Sequence, residues 1–152
     1  MKMINLALIV SILNIPFANA GNEISFLCSA KIDDFSGFFQ LETVVEGYLT
    51  KKQNGVVLSG YDFKYKVLDG TYVWSEANVS SDSDLENDSN YKPRKYKNHY
   101  KFDLSKNIFG SVNFLVPFEA FNSSDDQFEA VLIMSNIDDH AGDTVYLKCS
   151  ID

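Results

Sequence analysis

Residues 39–67 form the stretch that decides the fold class: FQLETVVEGYLTKKQNGVVLSGYDFKYKV. Two runs of alternating residues flank a short polar break. Alternation with a period of two is typical of half-buried strands, in which every second side chain faces the core. The predicted inward residues are Phe39, Leu41, Thr43, Val45 and Leu49 in the first run, and Val57, Tyr61, Phe63, Tyr65 and Val67 in the second. An Asn54-Gly55 pair between two such runs is a strong hairpin signal, so two long antiparallel strands are predicted.

The same alternation recurs along the rest of the chain. Further strands are predicted near residues 24–30, 71–75, 96–104, 108–116, 128–134 and 144–151. In the run 128–134, Val131 and Ile133 make the second face apolar as well, which indicates a central strand covered on both sides. One helical turn is expected after Pro117. The connections are too short for helical crossovers, so we predict an all-β fold of about eight mostly antiparallel strands, either a β-sandwich or a curled sheet or barrel.

The N-terminus is expected to be a signal peptide over residues 1–20. Lys2 precedes an apolar stretch that ends in Ala18-Asn19-Ala20, the small-x-small pattern at which signal peptidase cleaves. The stretch is shorter than the ~20 residues of a membrane-spanning helix, so no transmembrane segment is predicted. Residues 21–152 are expected to form one β-domain that is periplasmic or secreted.

Export makes a disulfide the expected state of the two cysteines, Cys28 and Cys149. Each cysteine falls in phase with apolar neighbours of a predicted terminal strand, so both thiols point into the core. Redox-active pairs usually have a close Cys-x-x-Cys spacing, which favours a structural bond here. The two terminal strands must then touch.

Residues 76–91 are polar, and we predict a mobile loop there between strands. Asp82, Asp84, Glu86 and Asp88 resemble the start of a calcium-binding loop, but the positions that require Gly and the closing Glu do not match. Residues 138–143, DDHAGD, are another candidate cation site that is equally typical of a hairpin turn. We predict no metal site and no cofactor. Asn78, Asn87 and Asn122 begin glycosylation tripeptides, which indicate exposed segments.

A basic segment stands out in an otherwise acidic protein. The chain carries a formal net charge of −8, yet residues 92–106 contain six Lys or Arg and one acid, Asp103. In strand geometry Lys95, Lys97, His99 and Lys101 share one outward face, and we take them as the candidate binding residues. A positive stripe of this kind suits an anionic glycan, another envelope component or an acidic protein. The alternative is that the lysines protect an edge strand or pair with the preceding acidic loop.

The function predicted from these features is an exported, non-catalytic binding or structural module that recognises a macromolecular partner through a surface patch. The net acidity argues against broad nucleic-acid binding. The sequence has no nucleophile elbow, phosphate-binding glycine loop or zinc-protease motif. The second hypothesis is a small-molecule carrier with an aromatic-lined barrel cavity. The third is a hydrolase that uses two carboxylates within ~10 Å of each other.

Overall fold

The computed structural model describes residues 22–33, 39–92, 95–105, 110–122, 124–135 and 143–152. The predicted signal peptide at residues 1–20, the candidate turn 138–142 and Ile108 lie outside these ranges. Within the described part of the chain, no helix has the length and apolar character needed to cross a membrane.

Within the described ranges, nine antiparallel strands form one curled sheet. Their bounds are β1 Glu23–Asp33, β2 Phe39–Lys52, β3 Gly55–Asp69, β4 Tyr72–Ser81, β5 Leu85–Glu86, β6 His99–Asp103, β7 Ser111–Pro117, β8 Gln127–Ser135 and β9 Asp143–Ile151. The order across the sheet is β4-β3-β2-β1-β9-β8-β7-β6, and β5 pairs with β3 outside this path. The all-β, antiparallel prediction is confirmed, and the curled half-barrel is the form it takes. A 3₁₀ turn, Phe118–Phe121, follows Pro117 as expected.

The sheet consists of two meanders, β1–β4 and β6–β9, which meet where the terminal strands pair. Residues 26–29 of β1 lie opposite residues 148–151 of β9. We call this contact the seam. Cys28 and Cys149 are direct partners in it and form the predicted disulfide. Such a bond is consistent with an oxidising, exported environment.

Both meanders contribute side chains to one hydrophobic core on the concave side of the sheet. Its largest fully buried side chains include Phe26, Phe63, Phe102 and Phe114. Phe26 of β1 stacks on Phe114 of β7 with ring centroids 5.7 Å apart, so the core packs across the seam. The interior is therefore filled by aromatic side chains from opposite halves of the chain.

A β-bulge explains why one predicted inward residue is wrong. Val56 and Leu58 are buried near the start of β3, while Val57 is only half-buried. Further along β3 the buried residues are Tyr61, Phe63, Tyr65 and Val67, as predicted. The register between β2 and β3 shifts at Gly47, and an extra residue in one strand reverses which face the following side chains occupy. Gly60, with φ of +51°, supplies the left-handed backbone at this position.

The polar segment predicted as a mobile loop contains strand structure. β4 continues through Ser81, so it includes residues 76–81 of the predicted loop. β5 then pairs Leu85 and Glu86 with Leu58 and Val57 of β3. Polarity misled the prediction because one face of β4 is exposed and its pairing comes from backbone hydrogen bonds, which the side-chain pattern does not reveal.

Residues 85–88 form a bridge between β6, an edge strand of the sheet, and the first part of β3, which β4 does not pair with. The N–H of Asn87 donates to the carbonyl of Val56 at 3.0 Å, and the N–H of Asp88 donates to the carbonyl of Lys101 at 2.9 Å. The Asn87 carboxamide accepts from the N–H of Val56 at 2.7 Å. Asn87 is therefore half-buried and structural, in contrast to the exposure that its tripeptide suggested.

The seam disulfide gives a first prediction. Cys28 and Cys149 are 121 residues apart, and cross-linking a loop of this length stabilises a fold by about 4–5 kcal/mol in the chain-entropy description. Reduction should lower the free energy of unfolding in urea by about this amount. A Cys28→Ala/Cys149→Ala variant should show a similar loss, and an unchanged unfolding midpoint after reduction would contradict a structural role.

The bridge gives a second prediction. Asn87→Ala removes the side-chain oxygen that accepts a hydrogen bond from the Val56 N–H. Val56 is only 1% exposed. An unsatisfied buried donor costs about 1–3 kcal/mol, so the free energy of unfolding should fall by that amount. Asn90→Ala, at an exposed position three residues later, is the matched control and should leave the unfolding midpoint unchanged. Equal effects of the two substitutions would refute the bridge.

Candidate functional site

The outward faces of β6–β9 carry a row of four residues in register. Lys101 pairs with Leu115, Leu115 with Val131, and Val131 with Tyr146. These side chains alternate with core residues, so they point away from the core. Leu115 and Val131 are nevertheless 0% and 3% exposed. This outer face therefore has a cover of its own at these two positions. The predicted second covered face of β8 is confirmed at Val131, whereas Ile133 is half-buried.

Residues 91–92 and 95–98, which we call the strap, contact both ends of that row. The Tyr91 ring lies 5.4 Å from the Lys101 ammonium group on β6. The Tyr96 hydroxyl hydrogen-bonds to the Tyr146 hydroxyl on β9 at 3.2 Å. The two ends of the strap thus reach the two ends of the row, Lys101 on β6 and Tyr146 on β9.

A groove of about 670 Å³ opens beside the strap on this outer face. The side chains with polar or aromatic groups that line it include Tyr96, His99, Phe118, Glu119, Glu129 and Tyr146. The strap, β6, the 3₁₀ turn, β8 and β9 each contribute at least one of them. We call these six residues the groove site. Tyr146 and Phe118 are 51% and 41% exposed, so large aromatic surfaces are available to a ligand.

The four candidate residues do not form one continuous stripe. β6 begins only at His99, and Tyr96 has φ of +60°, a left-handed conformation that breaks strand geometry. Lys97 is exposed in the turn before β6. Tyr96 alternates with Lys95 and Lys97 in the sequence and would face inward in a regular strand, but it lies on the outer face with the strap. The structure therefore separates Lys95 and Lys97 from the face of β6 on which His99 and Lys101 lie.

Lys101 forms an ion pair with Asp88, which lies in the segment before the strap. Its ammonium group lies 3.3 Å from a carboxylate oxygen of Asp88. The N–H of Asn90 and the Lys101 ammonium group both bind Asp88 and lower the pKa of its carboxyl group. This contact agrees with the alternative that the basic segment pairs with the acidic loop. Among the residues the structure describes, no three His, Cys, Asp or Glu side chains come together in a way that suits a metal ion.

Lys95 lies at the edge of the groove. Its ammonium group lies 4.9 Å from the centroid of the Tyr96 ring, in the range of a cation–π contact. The Tyr96 hydroxyl also hydrogen-bonds to Lys95 and raises the pKa of its ammonium group. The bond with Tyr146 lowers the pKa of the Tyr96 hydroxyl and raises that of Tyr146. Lys95 and Tyr96 of the strap and Tyr146 of β9 thus interact around the Tyr96 side chain.

His99 is a titratable group of the groove whose pKa is shifted by its surroundings. Burial lowers the pKa of its imidazole, while the nearby Glu119 carboxylate opposes that shift. Its ring packs edge-on against Tyr96 at 5.3 Å. Its Nδ1 is buried and has no hydrogen-bond partner within the described structure.

Sequence reasoning missed Glu119, Glu129 and Tyr146. Alternation identifies Glu129 and Tyr146 as outward-facing, because each lies between inward apolar residues of its strand. It does not show that the strap reaches them, since that depends on a left-handed residue at Tyr96.

Comparison with known proteins adds no family to this description. No protein-family model matches the chain, and no curated protein or solved structure matches it significantly.

His99 gives a pH prediction. Burial lowers the pKa of His99 in the folded state. As the pH falls through about 6.5, the imidazole therefore binds a proton more readily in the unfolded chain than in the folded one. The free energy of unfolding should therefore fall as the pH is lowered through that region. His99→Gln should reduce the fall, measured by urea unfolding at about pH 7.5 and about pH 5.5. Glu119→Gln should steepen it, because the opposing carboxylate is lost. The same pH dependence in His99→Gln and the unmodified protein would contradict this assignment.

Proposed function

We propose that this protein is an exported, non-catalytic binding module that recognises a macromolecular envelope partner through the groove site. The observation that carries the proposal is the pair of half-exposed aromatic rings, Tyr146 and Phe118, beside polar groups on the outer face. Residues 1–20 supply the proposed export signal, and the disulfide suits the periplasm or the extracellular space.

The filled concave side supports a surface module over a carrier. Phe63, Phe102 and Phe114 are 0% exposed, and Phe26 is 2% exposed. These rings occupy the volume in which an apolar ligand would have to sit. The groove, in contrast, is open to solvent and accessible to a partner too large to enter the sheet.

The contacts of the basic residues show which of them are available to a partner and which are not. Lys101 belongs to the ion pair with Asp88, so we assign it a structural role. Lys95 remains exposed at the groove, and His99 lines its floor. The binding surface is thus centred on Lys95, Tyr96, His99 and Tyr146. Lys97 belongs to it only as an exposed neighbour in the preceding turn.

A hydrolase is the second candidate for the same groove. Glu119 and Glu129 both line it, and a pair of carboxylates is the minimum that glycoside hydrolysis requires. We favour binding because both carboxylates are exposed, whereas the acid residue of a glycosidase usually lies in a less solvated environment.

The proposed function predicts that capture of the partner depends on the groove. The mature, oxidised protein is immobilised and exposed to envelope extracts, and the retained material is quantified. A Lys95→Glu/Tyr146→Ala variant should lose most of the capture, because both substitutions alter the exposed part of the groove without touching the core. Each variant is first checked for an unchanged unfolding midpoint.

The matched control is Lys51→Glu/Lys52→Glu in the β2–β3 hairpin, where both lysines are exposed. It changes the net charge by four units rather than two and lies away from the groove, so it should keep full capture. Equal capture by the groove variant and the unmodified protein would exclude this surface.

A further inference from the structure

We infer that the ligand of the groove site is a neutral saccharide chain. The inference rests on the proposed function and specifies its partner. It depends on three properties of the groove: exposed aromatic faces, exposed hydrogen-bonding oxygens, and carboxylates that disfavour an anionic ligand.

The aromatic rings match the apolar part of a sugar. The C–H groups on one face of a pyranose ring form a flat apolar patch that packs on an aromatic ring. Tyr146 and Phe118 present 51% and 41% of their surface to solvent. Tyr146 is fixed by its strand and by the bond to Tyr96 at 3.2 Å, so little side-chain freedom is lost when a ligand stacks on it.

The polar groups match the hydroxyls of a sugar. Glu119, Glu129, Asn98 and Asn122 line the groove and are exposed. Their oxygens accept hydrogen bonds from hydroxyl groups, and the two carboxamides also donate. Ligand sites usually combine aromatic surface with a small number of convergent polar groups. The volume of the groove, about 670 Å³, lies within the ~300–1,000 Å³ range of such sites.

The charges of the groove favour a neutral ligand. An anionic ligand would face the carboxylates of Glu119 and Glu129, which argues against the anionic glycan that the basic segment suggested. A cationic ligand would gain from the same carboxylates but would meet the Lys95 ammonium group, which lies 4.9 Å from the Tyr96 ring centroid. A polyhydroxylated neutral ligand meets no like charge and can use both the aromatic rings and the exposed carboxamides.

The test is an array of neutral glycans, anionic glycans and polylysine, probed with the mature oxidised protein. Binding to at least one neutral glycan, and weaker binding to the anionic glycans and polylysine, is expected. For the best neutral glycan, Tyr146→Ala should weaken binding about tenfold, whereas Tyr146→Phe should keep most of it because the stacking ring remains. Tyr72→Ala, which removes another exposed tyrosine (68% exposed) from β4, is the matched control and should bind normally.

Preferred binding to anionic glycans or polylysine, or no binding to any neutral glycan, would overturn the saccharide assignment. Groove-dependent capture from envelope extracts would then still support the proposed function with a different partner class. Conversely, neutral-glycan binding that is insensitive to Tyr146→Ala would exclude the groove as the binding surface. That result would overturn both the saccharide assignment and the proposed function. Cleavage of the bound glycan would keep the saccharide assignment and contradict only the non-catalytic part of the proposed function.

Discussion

The pairing of β1 with β9 at the seam is the constraint on which the rest of the structure depends. Each meander is built from neighbouring strands along the chain, so its internal contacts form locally. The seam joins the two ends of the described fold, and only residues 26–29 and 148–151 pair there. The Cys28–Cys149 disulfide fixes that short contact. It places Phe26 against Phe114 and brings both halves of the core together.

The bridge and the strap belong to one connection between β4 and β6. The bridge links the backbones of β3 and β6 through Asn87 and Asp88. The strap then contacts Lys101 of β6 and Tyr146 of β9, and Tyr146 lies three residues from Cys149. The groove site is thus assembled from the 3₁₀ turn, the strap and three strands of the second meander, and β9 ties that meander to the seam.

Pro117 indicated the turn that follows it, the Asn54-Gly55 pair located the β2–β3 hairpin, and export together with two in-phase cysteines predicted the disulfide. Alternation in the sequence predicted the fold class, because burial of alternate side chains controls it. It failed at Val57, where a bulge changes the face, and at residues 76–91, where backbone hydrogen bonds organise a polar segment. Lys95 and His99 were found as exposed or semi-exposed charges near the site. Glu119, Glu129 and Tyr146 were not, because their proximity depends on the path of the strap, which a left-handed Tyr96 determines.

The central claim is that the strap is docked on the outer face and creates the groove there. Nuclear Overhauser contacts between the aromatic ring protons of Tyr96 and Tyr146 in the oxidised protein test it most directly. Docking predicts cross-peaks between the two rings, since their hydroxyl oxygens are 3.2 Å apart. The absence of these cross-peaks, with both rings assigned, would show that the strap is free of β9 and would contradict the claim.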